Sequence, residues 1–188
     1  MDNWGECYLS HYERFLTPPI SHQVFRGSPD KPAVIQILSH ERVFDQCTVF
    51  STMGVSRYHI ELGKRSELVF PVDDGKLETP QILANVAFEL VRGKVRIGRG
   101  IAVDGLGEMN PQFASKFDRE AVYITTPGLF PREFNTVKCG DETGYMYLAL
   151  YIARSEFQYF MDKGADRFEE ALMRASVDPF ELRRRKVV

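Results

Sequence analysis

Thr52-Met53-Gly54-Val55-Ser56, followed eleven residues after Ser56 by Glu67-Leu68-Val69-Phe70, carries more information about the fold than any other part of the chain. A glycine between two hydroxyl residues, directly after the β-branched run Thr48-Val49-Phe50, reads as a tight turn. Gly54 supplies a positive φ, and Thr52 and Ser56 bond side chain to backbone. Ser56 is not the serine of a nucleophile elbow, which needs Gly-x-Ser-x-Gly, because Tyr58 stands where the second glycine belongs. Glu67 sits directly before an apolar strand. It either pairs with a basic side chain such as Arg65 or Arg185 and fixes the packing of the sheet, or faces a groove and contacts a partner. The packing role is preferred, since paired charges at strand starts serve register.

Outward from this stretch, Tyr58, Ile60 and Leu62 alternate with His59 and Glu61 as in a strand, and Gly63-Lys64 would join that strand to Leu68-Val69-Phe70 as a hairpin. Toward the N-terminus, Val34, Ile35 and Ile37 form another strand. A helix over about residues 5 to 16 carries Tyr8, Leu9, Tyr12, Phe15 and Leu16 and stops at Pro18-Pro19. Thr17-Pro18-Pro19, Gly27-Ser28-Pro29 and Pro127-Gly128 read as turns. Toward the C-terminus, Thr79 as N-cap and Pro80 open a helix whose apolar face holds Ile82, Leu83, Val86, Ala87, Leu90 and Val91, and Gly93 ends it. Strands are expected at Ile101-Ala102-Val103, at Ala121 to Thr125 and near Phe134 to Val137. The continuously apolar run Tyr145 to Ile152 reads as a strand central to a sheet. Two helices separated by Gly164 close the chain, capped by Ser155 with Gln158 and by Asp166 with Glu169, and Pro179 stops the second. The order predicts an α+β fold, a mixed, largely antiparallel sheet covered by helices.

With 188 residues, 44% of them hydrophobic and 27% charged, the chain fits one domain spanning residues 1–188. A net charge of −2 gives no overall attraction to phosphate backbones or anionic lipids, so nucleic acid and membrane are set aside as partners. No apolar stretch is long enough to span a bilayer, and the N-terminus shows no signal-peptide pattern. Cys7, Cys47 and Cys139 are odd in number and far apart, which points to no disulfide framework and no zinc ribbon. A cytoplasmic protein is expected.

Other candidate chemistry is incomplete. Gly98-Arg99-Gly100 and Gly105-Leu106-Gly107 lack the remainder of a phosphate-binding loop, and are read as turns around a strand. His59 and Glu61, on one face of the expected strand, are two metal ligands without a third, and His11, His22 and His40 share no spacing. A small hydrolase using Ser56 or a His59/Glu61 metal site is the enzymatic alternative, without a complete constellation. No cofactor is implied. Arg183-Arg184-Arg185-Lys186 is shorter than a usual nucleic-acid patch and reads as a solvated tail. Surplus tyrosines and phenylalanines reaching the surface would mark an interface.

Thr52-x-Gly54-x-Ser56, Glu67-Leu68-Val69, Ser155-Glu156 and the arginines at the end resemble, in order, the signature of the Suppressor of fused domain family, from about Ile35 to the C-terminus. The resemblance implies that family's fold, no catalytic centre, and a structural role for Thr52, Gly54, Ser56, Glu67, Glu156 and Arg185. Arg185 matches the family's closing arginine, so at least one of these side chains folds back onto the body. In animals the family protein restrains zinc-finger transcription factors of Hedgehog signalling by gripping a short peptide between two domains, and this chain is too short for the second. Short stand-alone members are mostly bacterial, and many are thought to be immunity proteins that bind and neutralise a cognate polymorphic toxin. The resemblance thus implies a protein partner, a toxin encoded nearby, or else a regulatory scaffold without a toxin.

Overall fold

The computed structural model describes residues 3–27 and 33–188; the expected turn at Ser28-Pro29, like Met1 and Asp2, lies outside them. Among the described residues the elements run α1 (Trp4–Phe15), β1 (Ser21–Arg26), β2 (Val34–Phe44), β3 (Cys47–Met53), a 3-10 turn (Val55–Tyr58), α2 (His59–Leu62), β4 (Ser66–Val72) and α3 (Thr79–Arg92). They continue with β5 (Ile101–Val103), α4 (Leu106–Met109), α5 (Pro111–Phe117), β6 (Ala121–Thr125), a second 3-10 turn (Arg132–Asn135), β7 (Thr136–Cys139), β8 (Glu142–Ile152) and α6 (Arg154–Ala175). The eight strands make one sheet in the order β1-β2-β3-β4-β8-β6-β5, with β7 also paired to β8. Only the β4–β8 pair is parallel among them. The fold is α+β, a mixed and mostly antiparallel sheet covered by helices.

Both faces of the sheet are covered, which explains the unbroken apolar run of β8. Tyr147, Ala149 and Tyr151 join the core beneath α3, α4 and α5, while Met146, Leu148, Leu150 and Ile152 join the core beneath α1 and α6. A strand buried on both sides has no polar face to show. In α1, Trp4, Tyr8 and Tyr12 recur on one helix face and are all buried against the sheet. At Gly144 of β8 a Cβ would collide with Tyr8 and Trp4, so the missing side chain is what lets α1 lie directly on the strand. Gly164 interrupts α6 with φ 81° and ψ 173°, dividing it into two helical halves.

Several expectations need correction. Tyr58 to Leu62 is not a strand: it is a 3-10 turn running into α2. The alternation misleads because Tyr58 and Leu62 are also four apart and so share a helix face, whereas Ile60, the third member of the supposed apolar row, is 83% exposed. Gly63 ends α2 in the left-handed conformation with φ 79° instead of forming a hairpin loop. Cys7 and Cys139 form a disulfide between α1 and β7 although 132 residues separate them, and Cys47 is free and buried. Sequence spacing says nothing about a pairing that arises from docking α1 onto β7. At α6 the cap position is Ala153, whose N–H is taken by Glu156 Oε2 at 2.8 Å, so Glu156 and not Ser155 with Gln158 closes that turn. Glu78 holds the cap position of α3, and the Thr79 hydroxyl instead donates to the Gly75 carbonyl at 2.8 Å. Phe134 lies in the 3-10 turn before β7, and α6 ends at Ser176, φ 50°, ahead of Pro179. β1, an edge strand with mostly exposed side chains, has no apolar pattern by which to find it.

Candidate functional site

β3 ends in the Thr52–Ser56 turn, and beside it lies Glu67, the second residue of β4, which is wholly buried. Gly54 has φ 114°, closed to other residues at little cost, and this turns three consecutive backbone N–H groups toward one point. The Glu67 carboxylate occupies that point. Its Oε1 accepts from Gly54 N–H at 2.8 Å and Ser56 N–H at 3.0 Å, and its Oε2 from the Thr52 hydroxyl at 2.6 Å and Val55 N–H at 3.2 Å. Thr52 Oγ1 in turn accepts from Leu68 N–H at 2.8 Å, locking the turn to the strand that carries the acid. Burial pushes the Glu67 carboxyl above the usual range, and the bonds from Thr52, Ser56 and Gly54 pull it back. Every one of these contacts to its oxygens comes from a donor, which suits an acceptor-only carboxylate. The basic partners expected for Glu67, Arg65 and Arg185, do not hold it: Arg65 binds Glu142 at 3.1 Å, and backbone amides have taken over the charge. Tyr12 ties α1 to the same turn through a 2.7 Å bond to the Thr52 carbonyl.

A second buried carboxylate lies beyond the other end of β8. Glu156 accepts from both ends of the Arg184 guanidinium at 2.6 and 3.0 Å, from Ala153 N–H, and from Val187 N–H at 3.0 Å. Burial works to raise its pKa, but the Arg184 bond and charge outweigh it and hold the carboxyl below the ordinary value. The arginine that turns into the core is therefore Arg184, whereas Arg185 stays at the surface, exposed, and donates to the Ala175 carbonyl at 2.8 Å. Phe180, Leu182 and Arg184 are buried while Glu181, Arg183 and Arg185 are exposed, so a period of two decides which arginine turns in. That alternation was present in the sequence and would have singled out Arg184.

The structure thus joins Thr52, Gly54, Ser56 and Glu67 in one cluster and places Glu156 in another, with Arg185 outside both. Neither cluster has the geometry of an active site. Each carboxylate oxygen of Glu67 and Glu156 already accepts two hydrogen bonds, and Ser56, 3% exposed, is directed at the Glu67 carboxylate, whose oxygens are filled by these donors. His59 and Glu61 lie two apart on the short α2, pointing away from each other, and His59 Nδ1 contacts Arg65 Nη1 at 3.1 Å. No cluster of three or more histidine, cysteine, aspartate or glutamate side chains suited to a metal occurs among the described residues. Sequence reasoning also missed His40, which is buried between the Thr17 carbonyl (2.6 Å) and the Ser51 hydroxyl (3.0 Å), and Glu169, which takes Tyr123, Thr125 and Arg99. No local motif marks His40, and the capping pattern read for Asp166 with Glu169 does not reveal that the Glu169 carboxylate is taken by Tyr123, Thr125 and Arg99. Over the outer side of the Thr52–Ser56 turn runs a cleft of about 510 Å³ shared with Asn3, Trp4 and Arg57.

The sequence profile described as Suppressor of fused protein (SUFU) matches residues 31–185, a span that contains both carboxylate clusters. The chain belongs to the Suppressor of fused family. Immunity protein YqcF of Bacillus subtilis (strain 168) is 22% identical over 165 residues, covering 85% of this chain and 84% of that protein. Among solved structures, a SUFU (suppressor of fused protein) homolog from Neisseria gonorrhoeae FA 1090 superimposes with a TM-score of 0.77 at 16% identity, over 99% of this chain and 97% of that one. A chain of the Sufu-Fu complex gives 0.65 at 10% identity, over 98% and 90% respectively. Drosophila Suppressor of Fused gives 0.56 at 11%, and there the match spans 98% of this chain but 50% of that one. These structures share the fold with this Suppressor of fused domain. No described helix is long and apolar enough to cross a membrane.

Proposed function

We propose that this protein is a non-enzymatic binding domain that acts as an immunity protein, forming a stoichiometric complex with a toxin encoded nearby and blocking it sterically and electrostatically. The observation that carries the reading is the match to a named immunity protein over more than four fifths of both chains. The geometry supports it from a second direction. Glu67, Glu156, Ser56 and Arg184, the buried polar residues of the two clusters, are engaged in holding the turn and the C-terminal segment in place. In this reading the two carboxylate clusters make the two ends of the β4–β8 pair rigid, and exposed side chains do the binding. A protein complex of this kind buries about 1,600 Å² in total. The test is co-expression with the product of the neighbouring gene: co-purification and relief of its toxicity are expected, and failure of both refutes the immunity reading.

A further inference from the structure

The last residues run over the body with alternate side chains turned in, and hydrogen bonds along the segment fix them. Leu182 N–H donates to Asp73 Oδ1 at 2.9 Å, Arg119 Nη2 to the Arg184 carbonyl at 2.9 Å, Val187 N–H to Glu156 Oε1 at 3.0 Å, and the Ser155 hydroxyl to the Val188 carbonyl at 2.9 Å. The basic run Arg183 to Lys186 is therefore built into the surface and is not a solvated tail.

Cavities flank this segment on two sides. One, of about 520 Å³, brings Lys163, Arg167 and Arg174 of α6 together with Arg185 and Lys186. The other, of about 350 Å³, adds Lys116, Arg119, Arg183 and Arg184. Nine of the chain's 24 lysines and arginines thus line two adjoining cavities whose acids are Glu170 and Asp118. Glu170 is divided between Arg167 at 3.0 Å and Arg174 at 2.6 Å, and Asp118 is taken by Lys186 at 2.6 Å. Arg184 is neutralised by Glu156 and Arg183 faces Asp74 at 3.8 Å, which still leaves the belt in excess of positive charge on a chain whose net charge is −2. Arg119 is 2% exposed, and its Nε has no hydrogen-bond partner among the described residues. Between the cations of the larger groove lie apolar atoms of Ala171, Ala175 and Val187.

We propose that this belt is where a protein partner docks an acidic segment, with carboxylates against Arg167, Arg174 and Arg185 and an apolar side chain on Ala171, Ala175 and Val187. The proposal deepens the protein-binding reading above and rests on it. Planar guanidinium groups suit bidentate capture of carboxylates, and the exposed charges of a rim mainly steer and select the partner. A long polyanion fits the surface less well, because the acidic remainder of the chain opposes its approach whereas a short acidic segment meets only the belt.

Fluorescence anisotropy with a fluorescein-labelled peptide of alternating glutamate and leucine, at ~0.15 M salt, tests the chemistry directly. Saturable binding is expected, with the glutamine analogue inactive and with affinity weakened about 10-fold or more by Lys163→Glu/Arg167→Glu/Arg174→Glu. Arg167→Gln/Arg174→Gln, which leaves no reversed charge beside Glu170, should weaken it less, and thermal melting checks that both variants fold. Absence of saturable binding, or equal binding by wild type and both variants, overturns the proposal. So does tighter, charge-dependent binding of random-sequence duplex DNA or of phosphatidylserine vesicles. A co-purified toxin complex that survives the triple reversal at full affinity refutes the belt and leaves the immunity reading standing. Charge-dependent peptide binding without any toxin neutralisation does the reverse.

Discussion

Replacing Glu67 by glutamine keeps the shape of the side chain and exchanges one acceptor oxygen for an amide group that can only donate. In the structure two donors reach each carboxylate oxygen, so the amide nitrogen would face either Gly54 and Ser56 N–H or Thr52 Oγ and Val55 N–H. The second placement is the milder, since the Thr52 hydroxyl can rotate to accept, but it still sets an N–H against Val55 N–H and removes the charge from both remaining bonds. A buried unsatisfied donor costs about 1–3 kcal/mol, and a bond to a charged group contributes about 1.5–3 kcal/mol. Relief of the buried charge offsets part of this. A net loss of about 2–3 kcal/mol is expected, which lowers the melting temperature by about 5–10 °C for a domain of this size. Urea denaturation followed by fluorescence of Trp4, the sole tryptophan and a buried one, measures it. Thr52→Val/Glu67→Gln should cost less than the two single changes added together, because both act on the same bond. A stability for Glu67→Gln within about 0.5 kcal/mol of wild type would refute the claim that the carboxylate organises the turn.

Three further outcomes are expected. Gly54→Ala, at φ 114° and with its new Cβ 3.0 Å from the Val34 carbonyl oxygen, should destabilise by about 1 kcal/mol or more, and an unchanged denaturation midpoint would contradict the turn geometry. Arg184→Met leaves Glu156 buried without its counter-charge and should cost about 3–5 kcal/mol, much of it recovered in Glu156→Gln/Arg184→Met; a double variant as unstable as the single one would show that the pair is not the source of the loss. His40 and His11 are held below the ordinary value of 6.5, in both cases chiefly by burial, so below that pH the unfolded chain binds protons that the fold refuses. Stability should therefore fall between about pH 7 and pH 5, less steeply in His40→Asn, and a midpoint that rises on acidification would reverse the sign of the argument. Glu156, with a lowered pKa, adds stability that is lost only at lower pH as its own folded value is passed, whereas Glu67, with a raised one, acts in the opposite direction.

Much of this protein can be read along the chain because local rules decide it. Helix α3 shows a broad apolar face behind Pro80, β8 shows an unbroken apolar run, and Gly54 stands where a strand has to turn. Each depends on residues within a few positions of one another, and the motifs that carry the family resemblance, Thr52-x-Gly54-x-Ser56, Glu67-Leu68-Val69, Ser155-Glu156 and the terminal arginines, are likewise short and local, in a chain whose residues 31–185 match the family. Tyr58 to Leu62 shows where this stops: two residues four apart satisfy a strand and a helix equally, and only the exposure of Ile60 in the folded molecule separates the two. Assembly decided the rest. The donors around Glu67, the Glu156–Arg184 pair, the Cys7–Cys139 link and the gathering of nine cations around the C-terminal segment all join positions far apart in the chain. Composition could report a net charge near zero, but how that charge is divided over the surface is set by which elements pack together, and that arrangement is what a partner meets.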